Sequence, residues 1–242
     1  MIVEHKFYIG FKDCRQDLKI KNSSLLTFCE NVAGIHGNMV GDGIKETLTR
    51  TFATWVLVSW KLKVFKRPEH GEFVTARTWV QDFKRVYSYR EFEIVSESGE
   101  ILARCISKWV HISTENSMPI RVTEELGLKY GPENVTWFEE GKDVLIKEPE
   151  NPIKEYIHTV RADWIDMNFH MNNTWYVTLS HLAFAENGME FPETDTLEVL
   201  YKKEIKAGER VKCLIYESEE QYTVAIKSED EQVLHALLRF FK

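Results

Sequence analysis

The chain has few cysteines, little proline outside one stretch, no excess of positive charge and no long apolar run. Its four cysteines, Cys14, Cys29, Cys105 and Cys213, form no C-x-x-C pair. Cys29 and Cys105 sit inside apolar periodic segments, so all four are expected as reduced, small core residues. The balance of 31 Lys and Arg against 38 Asp and Glu leaves a net charge of −7. That gives no general basic field and argues against a nucleic-acid partner. No window reaches about 18 consecutive apolar residues, so no membrane insertion is expected. The segment Met1-Ile2-Val3-Glu4-His5-Lys6 has no apolar signal core, and the expected location is cytoplasmic. No H-x-x-x-H or H-E-x-x-H spacing suggests a metal. What is present is 242 residues, 43% hydrophobic and 29% charged, enough for one large domain or two small ones.

Residues 2–12 alternate loosely and predict a strand. Asn22-Ser23-Ser24 then caps a helix carrying Leu25, Leu26, Cys29, Val32, Ala33 and His36 on one side, with Gly37 as its end. Four long runs rich in Val, Trp, Phe, Tyr and Thr follow: Trp55 to Phe65, Phe73 to Gln81, Tyr87 to Val95 and Ile101 to His111. Turn residues separate them, so they read as an antiparallel sheet. Residues 113–155 hold Pro119, Pro132, Pro149 and Pro152, acidic runs and one short helical candidate, Thr123 to Leu128, and are expected to connect two units. The order then returns: an extended segment through His170, a helix from Asn172 or Asn173 to Glu186 closed by Asn187-Gly188, then runs Leu197 to Ile205, Val211 to Ser218, Tyr222 to Lys227 and Val233 to Phe241.

The chain thus repeats itself, with expected units 1–112 and 156–242. Glu69-His70-Gly71-Glu72 aligns with Lys206-Ala207-Gly208-Glu209. Sliding Asn22-Ser23-Ser24 onto Asn172-Asn173-Thr174 sets Gln16, Leu18 and Ile20 against Asp166, Asn168 and His170. The second copy therefore carries a polar set that the first lacks. In that stretch Ile165, Met167, Phe169 and Met171 alternate with Asp166, Asn168, His170 and Asn172, so an extended backbone would separate apolar and polar faces. At roughly 3.3 Å per residue a straight strand would hold Asp166 and His170 about 13 Å apart. Either the segment curls, or a long substrate uses its polar groups in turn.

A long helix wrapped by a curved antiparallel sheet is the hot-dog arrangement, and two in tandem give an α+β double hot-dog. The chain resembles the acyl-acyl carrier protein thioesterases of plants and bacteria, which have that fold. Arg161 to Asn173 is similar to the family signature D-x-N-x-H-x-N-N, and Tyr201-Lys202-Lys203-Glu204 to its Y-R-R-E. Gly41-Asp42-Gly43, Trp55-Val56-Leu57, Thr78-Trp79-Val80 and Trp109-Val110 also look like family positions. Many plant members have a cysteine after that glutamate; here it is Ile205, so no Cys-His scheme is expected there.

Thioester hydrolysis needs an activated water or nucleophile and stabilisation of an oxyanion, but no metal or cofactor. The resemblance implies a catalytic network of Asp166, Asn168, His170 and Glu204. Glu204 or His170 would be the base, Asp166 would orient a partner, and Asn168 would donate to the carbonyl or hold the water. Independently, the helix start near Asn173 offers amides and a positive dipole end to an oxyanion. Leu26, Phe28, Val32, Trp55 and Leu57 are the expected acyl-chain lining in the first unit. The resemblance implies acyl carrier protein as partner, and because that protein is strongly acidic, Arg161, Lys202 and Lys203 are expected to contact it. Monomer and homodimer both remain open, as do two rival readings: an acyl-CoA thioesterase of the same fold, and a non-catalytic acyl-binding module.

Overall fold

The computed structural model describes residues 1–138, 141–192 and 194–242, with Leu48 by its backbone alone. The chain divides into two compact units, Met1–Val58 with Leu62–Asp143, and Ser59–Lys61 with Val144–Lys242. In the first unit β1 (Val3–Tyr8) leads through a 3-10 turn (Phe11–Asp13) into α1 (Asn22–Met39). A short α2 (Ile44–Glu46) and a π turn (Thr47–Thr51) precede β2 (Ala53–Val64), β3 (Phe73–Lys84), β4 (Tyr87–Ser96) and β5 (Ile101–Ser113), and α3 (Glu124–Tyr130) follows. The strands lie in the order β1-β3-β4-β5-β2, with Val3 opposite Thr78 and Val74 opposite Ser96.

α1 packs its Leu25, Cys29, Val32 and His36 stripe inward, all four fully buried. The i, i+4, i+7, i+11 spacing makes this one helical face. Gly37 does not end the helix. A side chain there would press on the Asp42 carbonyl, whose own amide bonds the Gly37 carbonyl at 2.8 Å, so this glycine admits a close backbone approach. The turn out of the helix falls to Gly41, at φ +70°.

The expected connector belongs largely to the first unit. Its residues 131–138 and 141–143 strap the sheet face opposite α1. Glu133 N bonds Val80 O at 2.9 Å, Trp79 Nε1 donates to Val135 O at 2.9 Å, and Asp143 accepts from Tyr89 Oη at 2.8 Å. β4, covered on both faces, is buried at eight consecutive positions from Ser88 to Val95. Under the strap Glu91 is fully buried, accepts from Thr136 Oγ1 and the Trp137 amide, and burial raises its pKa to about 7.

The second unit repeats the plan: β6 (Lys154–Thr159), a 3-10 turn (Ala162–Trp164), α4 (Trp175–Glu186), β7 (Thr196–Tyr201), β8 (Arg210–Glu217), β9 (Gln221–Ser228) and β10 (Leu234–Phe241). Its strands order as β7-β10-β9-β8-β6. α4 buries Tyr176, Val177, Ser180, Ala183 and Phe184; Phe184 packs edge-on against Phe191 and Tyr222. Its end matches expectation, with Asn187 as cap and Gly188 at φ +65°.

Candidate active site

The stretch Ile165–Met171 is not an extended strand. It is a closed turn whose ends, Ile165 and Met171, form an isolated antiparallel bridge. Asp166 N donates to His170 O at 3.0 Å, Phe169 N to Asp166 O at 3.1 Å, and the Asn168 amide to Asp166 Oδ1 at 2.8 Å. The Asp166 side chain thus builds the turn that carries it, as Asx turns do. Phe169 takes the left-handed conformation at φ +64°, and Phe169 and Met167 are 83% and 70% exposed. The alternation that suggested an apolar face is therefore cut by the turn.

Curling brings Asp166 and His170 together: Nδ1 of His170 lies 4.0 Å from Asp166 Oδ1, with both side chains partly exposed. Nδ1 is thus the ring nitrogen paired with the carboxylate. Asn168 is exposed at the tip. Asn172 Oδ1 accepts from the Thr174 amide at 3.0 Å and the Thr174 hydroxyl at 2.7 Å, and Asn172 O accepts from Trp175 N at 3.0 Å. Asn172 thereby sets the entry to α4, and Asn173 O accepts from Tyr201 Oη at 2.8 Å.

The glutamate comes from a different kind of backbone than expected. β7 stops at Tyr201, and Lys202, Lys203 and Glu204 leave the ladder. His235 explains this. Its carbonyl accepts from the amides of Lys202 and Lys203 at 2.8 and 3.2 Å. Its Nδ1 donates to the carbonyls of Lys203 and Glu204 at 3.2 and 3.1 Å, fixing Nδ1 as the protonated nitrogen. The ring is buried and sits at an irregularity in the β9–β10 pairing. The Met171 amide then bonds the carbonyl of the fully buried Ile205 at 2.8 Å, clamping the turn to the Glu204 segment. Glu204 is about half exposed, with Lys206 Nζ at 3.9 Å.

Tyr176, which the sequence did not single out, lies at the same place. It is buried in the first turn of α4, edge-on to Tyr201 at 5.1 Å. Burial, and then the charges of Glu204, Glu209 and Asp166, hold its hydroxyl well above the usual phenol range, so it stays a donor. Its spacing of three from Asn173 was the available signal.

The first unit contains the same turn in a different register from the expected one. Cys14 and Ile20 form the bridge, Arg15 N donates to Lys19 O at 2.9 Å, Leu18 N to Arg15 O at 3.1 Å, and Lys19 N to Asp17 Oδ1 at 3.1 Å. Ile20 N bonds Pro68 O as Met171 N bonds Ile205 O. Arg15, Asp17 and Lys19 therefore match Asp166, Asn168 and His170, and Arg67 matches Glu204. Helix starts mislead by one residue because Thr174 already has helical dihedrals outside α4 while Lys21 before α1 is extended. The first turn is polar but largely cationic, with Arg15 forked onto Asp17 at 2.8 and 3.2 Å.

The remaining expected residues are more scattered. Leu26, Phe28, Val32 and Leu57 are buried core. Phe28 stacks on Phe7 at 4.5 Å. Trp55 is half-buried, donates Nε1 to Asp42 at 2.8 Å and lies 4.7 Å from the His111 ring. Arg161 is held by Asp163 at 2.9 and 3.0 Å, so its charge is already matched, whereas Lys202 and Lys203 are exposed. All four cysteines are buried, and burial raises the Cys213 thiol. No group of three or more metal-ligating side chains gathers among the described residues. Among them, no helix is long and apolar enough to cross a membrane.

Two successive helix-on-sheet units, one bearing the Asp-Asn-His turn, define a double hot-dog protein. Residues 2–130 match the family description Acyl-ACP thioesterase N-terminal domain and residues 147–237 match Acyl-ACP thioesterase C-terminal domain. The chain belongs to the acyl-ACP thioesterase family. It is 27% identical to oleoyl-acyl carrier protein thioesterase 2 of Arabidopsis thaliana over 79% of this chain and 56% of that one. With oleoyl-acyl carrier protein thioesterase 1 of the same plant it shares 25% over 87% of this chain and 62% of the relative. The chain thus spans less than two thirds of these relatives. Among solved structures, an acyl-ACP thioesterase from Bacteroides thetaiotaomicron superposes with TM-score 0.85 at 22% identity, covering 100% of this chain and 98% of that one. The 12:0-ACP thioesterase of Umbellularia californica gives 0.84 at 17%, covering 100% and 97%. At these identities the superpositions speak for the fold.

Proposed function

We propose that the second unit hydrolyses the thioester of a fatty acyl-acyl carrier protein, releasing the free fatty acid and the carrier's thiol. The observation that carries this is the clamped turn: Asp166 and His170 are brought within 4.0 Å and tied through Met171 and Ile205 to the Glu204 segment. The corresponding turn of the first unit presents Arg15, Lys19 and Arg67 instead, which offer no base at neutral pH. Water attacks the acyl carbon and its proton passes to His170 Nε2. The resulting imidazolium is stabilised by Asp166, and Glu204 orients the water. Amides at the start of α4 beside Asn173 and the Asn168 side chain stabilise the oxyanion. The C–S bond then breaks, and the proton on His170 passes to the departing thiolate. Leu26, Phe28, Val32, Trp55 and Leu57 hold the acyl chain within the first unit. Lys202 and Lys203 meet the anionic carrier arm, Arg161 being occupied by Asp163.

The test is thiol release from matched acyl-carrier and acyl-CoA substrates by the natural chain, His170→Ala and Glu204→Ala. A loss of about 10²–10⁴ in kcat with ligand affinity nearly unchanged is expected for His170→Ala. Undiminished turnover in both variants would remove the site; preference for CoA esters would remove the carrier.

A further inference from the structure

The first unit carries a groove of about 610 Å³ remote in sequence from every residue of the proposed chemistry. Its lining holds the apolar Phe83, Val122, Leu128 and Pro132 and the cationic Arg85 and Arg121. Leu128 is 72% exposed, although an apolar side chain on a helix ordinarily turns inward. The arginines are fixed near each other by backbone. Arg85 occupies the β3–β4 turn at φ +56°, and its carbonyl accepts from the Val122 amide at 2.8 Å, directly after Arg121. Ile120 N is bonded to His111 O at 2.9 Å, so the segment bearing Arg121 is anchored on both sides of that residue.

Among the described residues some basic side chains are paired to carboxylates, and others, Lys45, Arg50, Lys202 and Lys203 among them, are exposed and make no ion pair. Lys6, Lys66, Arg77, Arg161, Lys212 and Lys242 are each matched to a carboxylate within 3.0 Å. Lys84, Arg85 and Arg121 are exposed and make no ion pair among the described residues, in a chain whose net charge is −7. Glu124 is the one carboxylate on the groove's lining. Unmatched cations beside an apolar shelf give long-range attraction to an acidic surface and a short-range contact that fixes its position.

We propose that this groove docks the folded body of the acidic carrier protein, with Arg85 and Arg121 of its lining meeting carboxylates of the carrier, Lys84 beside Arg85 in the chain adding to them, and Leu128 meeting an apolar residue between them. The inference rests on the carrier reading above and adds to it a recognition surface whose charged residues, Arg85 and Arg121, are not among those that meet the acyl chain or the thioester; its Phe83 ring lies 5.9 Å from that of Trp55.

The experiment compares the natural chain with Arg85→Glu/Arg121→Glu and with Leu128→Ser. It uses the acyl-carrier substrate, an acyl-pantetheine of the same chain length, and direct binding of the holo-carrier by fluorescence anisotropy at low and moderate salt. The charge-reversed variant should raise KM for the carrier substrate at least tenfold with kcat nearly unchanged. It should weaken holo-carrier binding by a similar factor and lose most of its salt dependence. Leu128→Ser should move KM in the same direction, and acyl-pantetheine kinetics should be the same in all three proteins. Carrier turnover and binding that survive charge reversal overturn the groove while leaving the carrier reading intact. A natural chain that cleaves acyl-pantetheine but neither binds nor cleaves the carrier overturns both. Sedimentation that shows a dimer split by the double variant, with carrier binding unaffected, assigns the groove to a second copy of the chain and overturns the proposal.

Discussion

His235 shows how a residue away from the reacting atoms can govern them. Its ring spans two carbonyls, and its own carbonyl takes two amides of the segment that ends in Glu204. His235→Leu removes the Nδ1 donor from a buried place, leaving two carbonyls short of it, at a cost of about 1–3 kcal/mol. Because the lost contact holds Glu204 rather than substrate, kcat should fall about tenfold with KM little changed, while His235→Asn should recover part of the loss by supplying a donor. Equal falls in both variants, with a matching loss of folded protein by circular dichroism, would make the residue merely structural. His36 is the opposite case. It is fully buried, accepts at Nδ1 from Arg90, and burial followed by the Arg90 charge lowers its pKa to about 3. Its neutral form is the folded form, and it contributes to unfolding only as pH falls below the ordinary histidine range.

At the scale of elements, the strap of residues 131–138 and 141–143 takes up part of the connector expected from proline and acid content. Those residues mark irregular backbone, and irregular backbone can lie on a sheet as well as between domains. The strap buries the Glu91 carboxylate, and the charges of Arg104 and Lys142 only partly oppose the effect of that burial. With its folded pKa raised to about 7, Glu91 is protonated in the folded chain where the unfolded chain has already ionised, so stability falls as pH rises from about 4.5 through 7. Glu91→Gln keeps the acceptor for Thr136 and removes this slope. Urea unfolding should show the variant gaining roughly 3 kcal/mol relative to the natural chain between pH 4.5 and pH 8. Parallel pH dependence in the two proteins would place the charge elsewhere. The turns Arg15–Lys19 and Asp166–His170 carry the same lesson. Both close through the same backbone hydrogen bonds and place Leu18 and Phe169 at φ +67° and +64°. The period-two pattern of the second read as a strand because alternation does not report where a turn interrupts it.

For the molecule as a whole, duplication supplies two turns of one geometry, and only side-chain chemistry separates them. Lys19→Ala, at the position matching His170, should leave thioester turnover within about twofold of the natural chain, against the large loss expected for His170→Ala. A comparable loss at Lys19 would mean that both units take part in the chemistry. The sequence by itself determined the α+β class, the duplication, the long helix and sheet runs of each unit, and the alternation of Asp166, Asn168 and His170 with apolar residues, all of which follow from apolar periodicity and turn residues, which are local properties. Glu204 was singled out only by the resemblance to the acyl-ACP thioesterases. The tertiary structure decided that Asp166 and His170 meet, that Glu204 sits beyond the end of β7 on a backbone held by His235, and that Tyr176 belongs beside them. It also placed the register of the repeat. Each of these depends on hydrogen bonds between backbone groups distant in sequence, such as Met171 to Ile205 and Lys202 to His235. A backbone amide or carbonyl is the same in every residue but proline, so the letters of the chain carry no sign of which distant partner it will find.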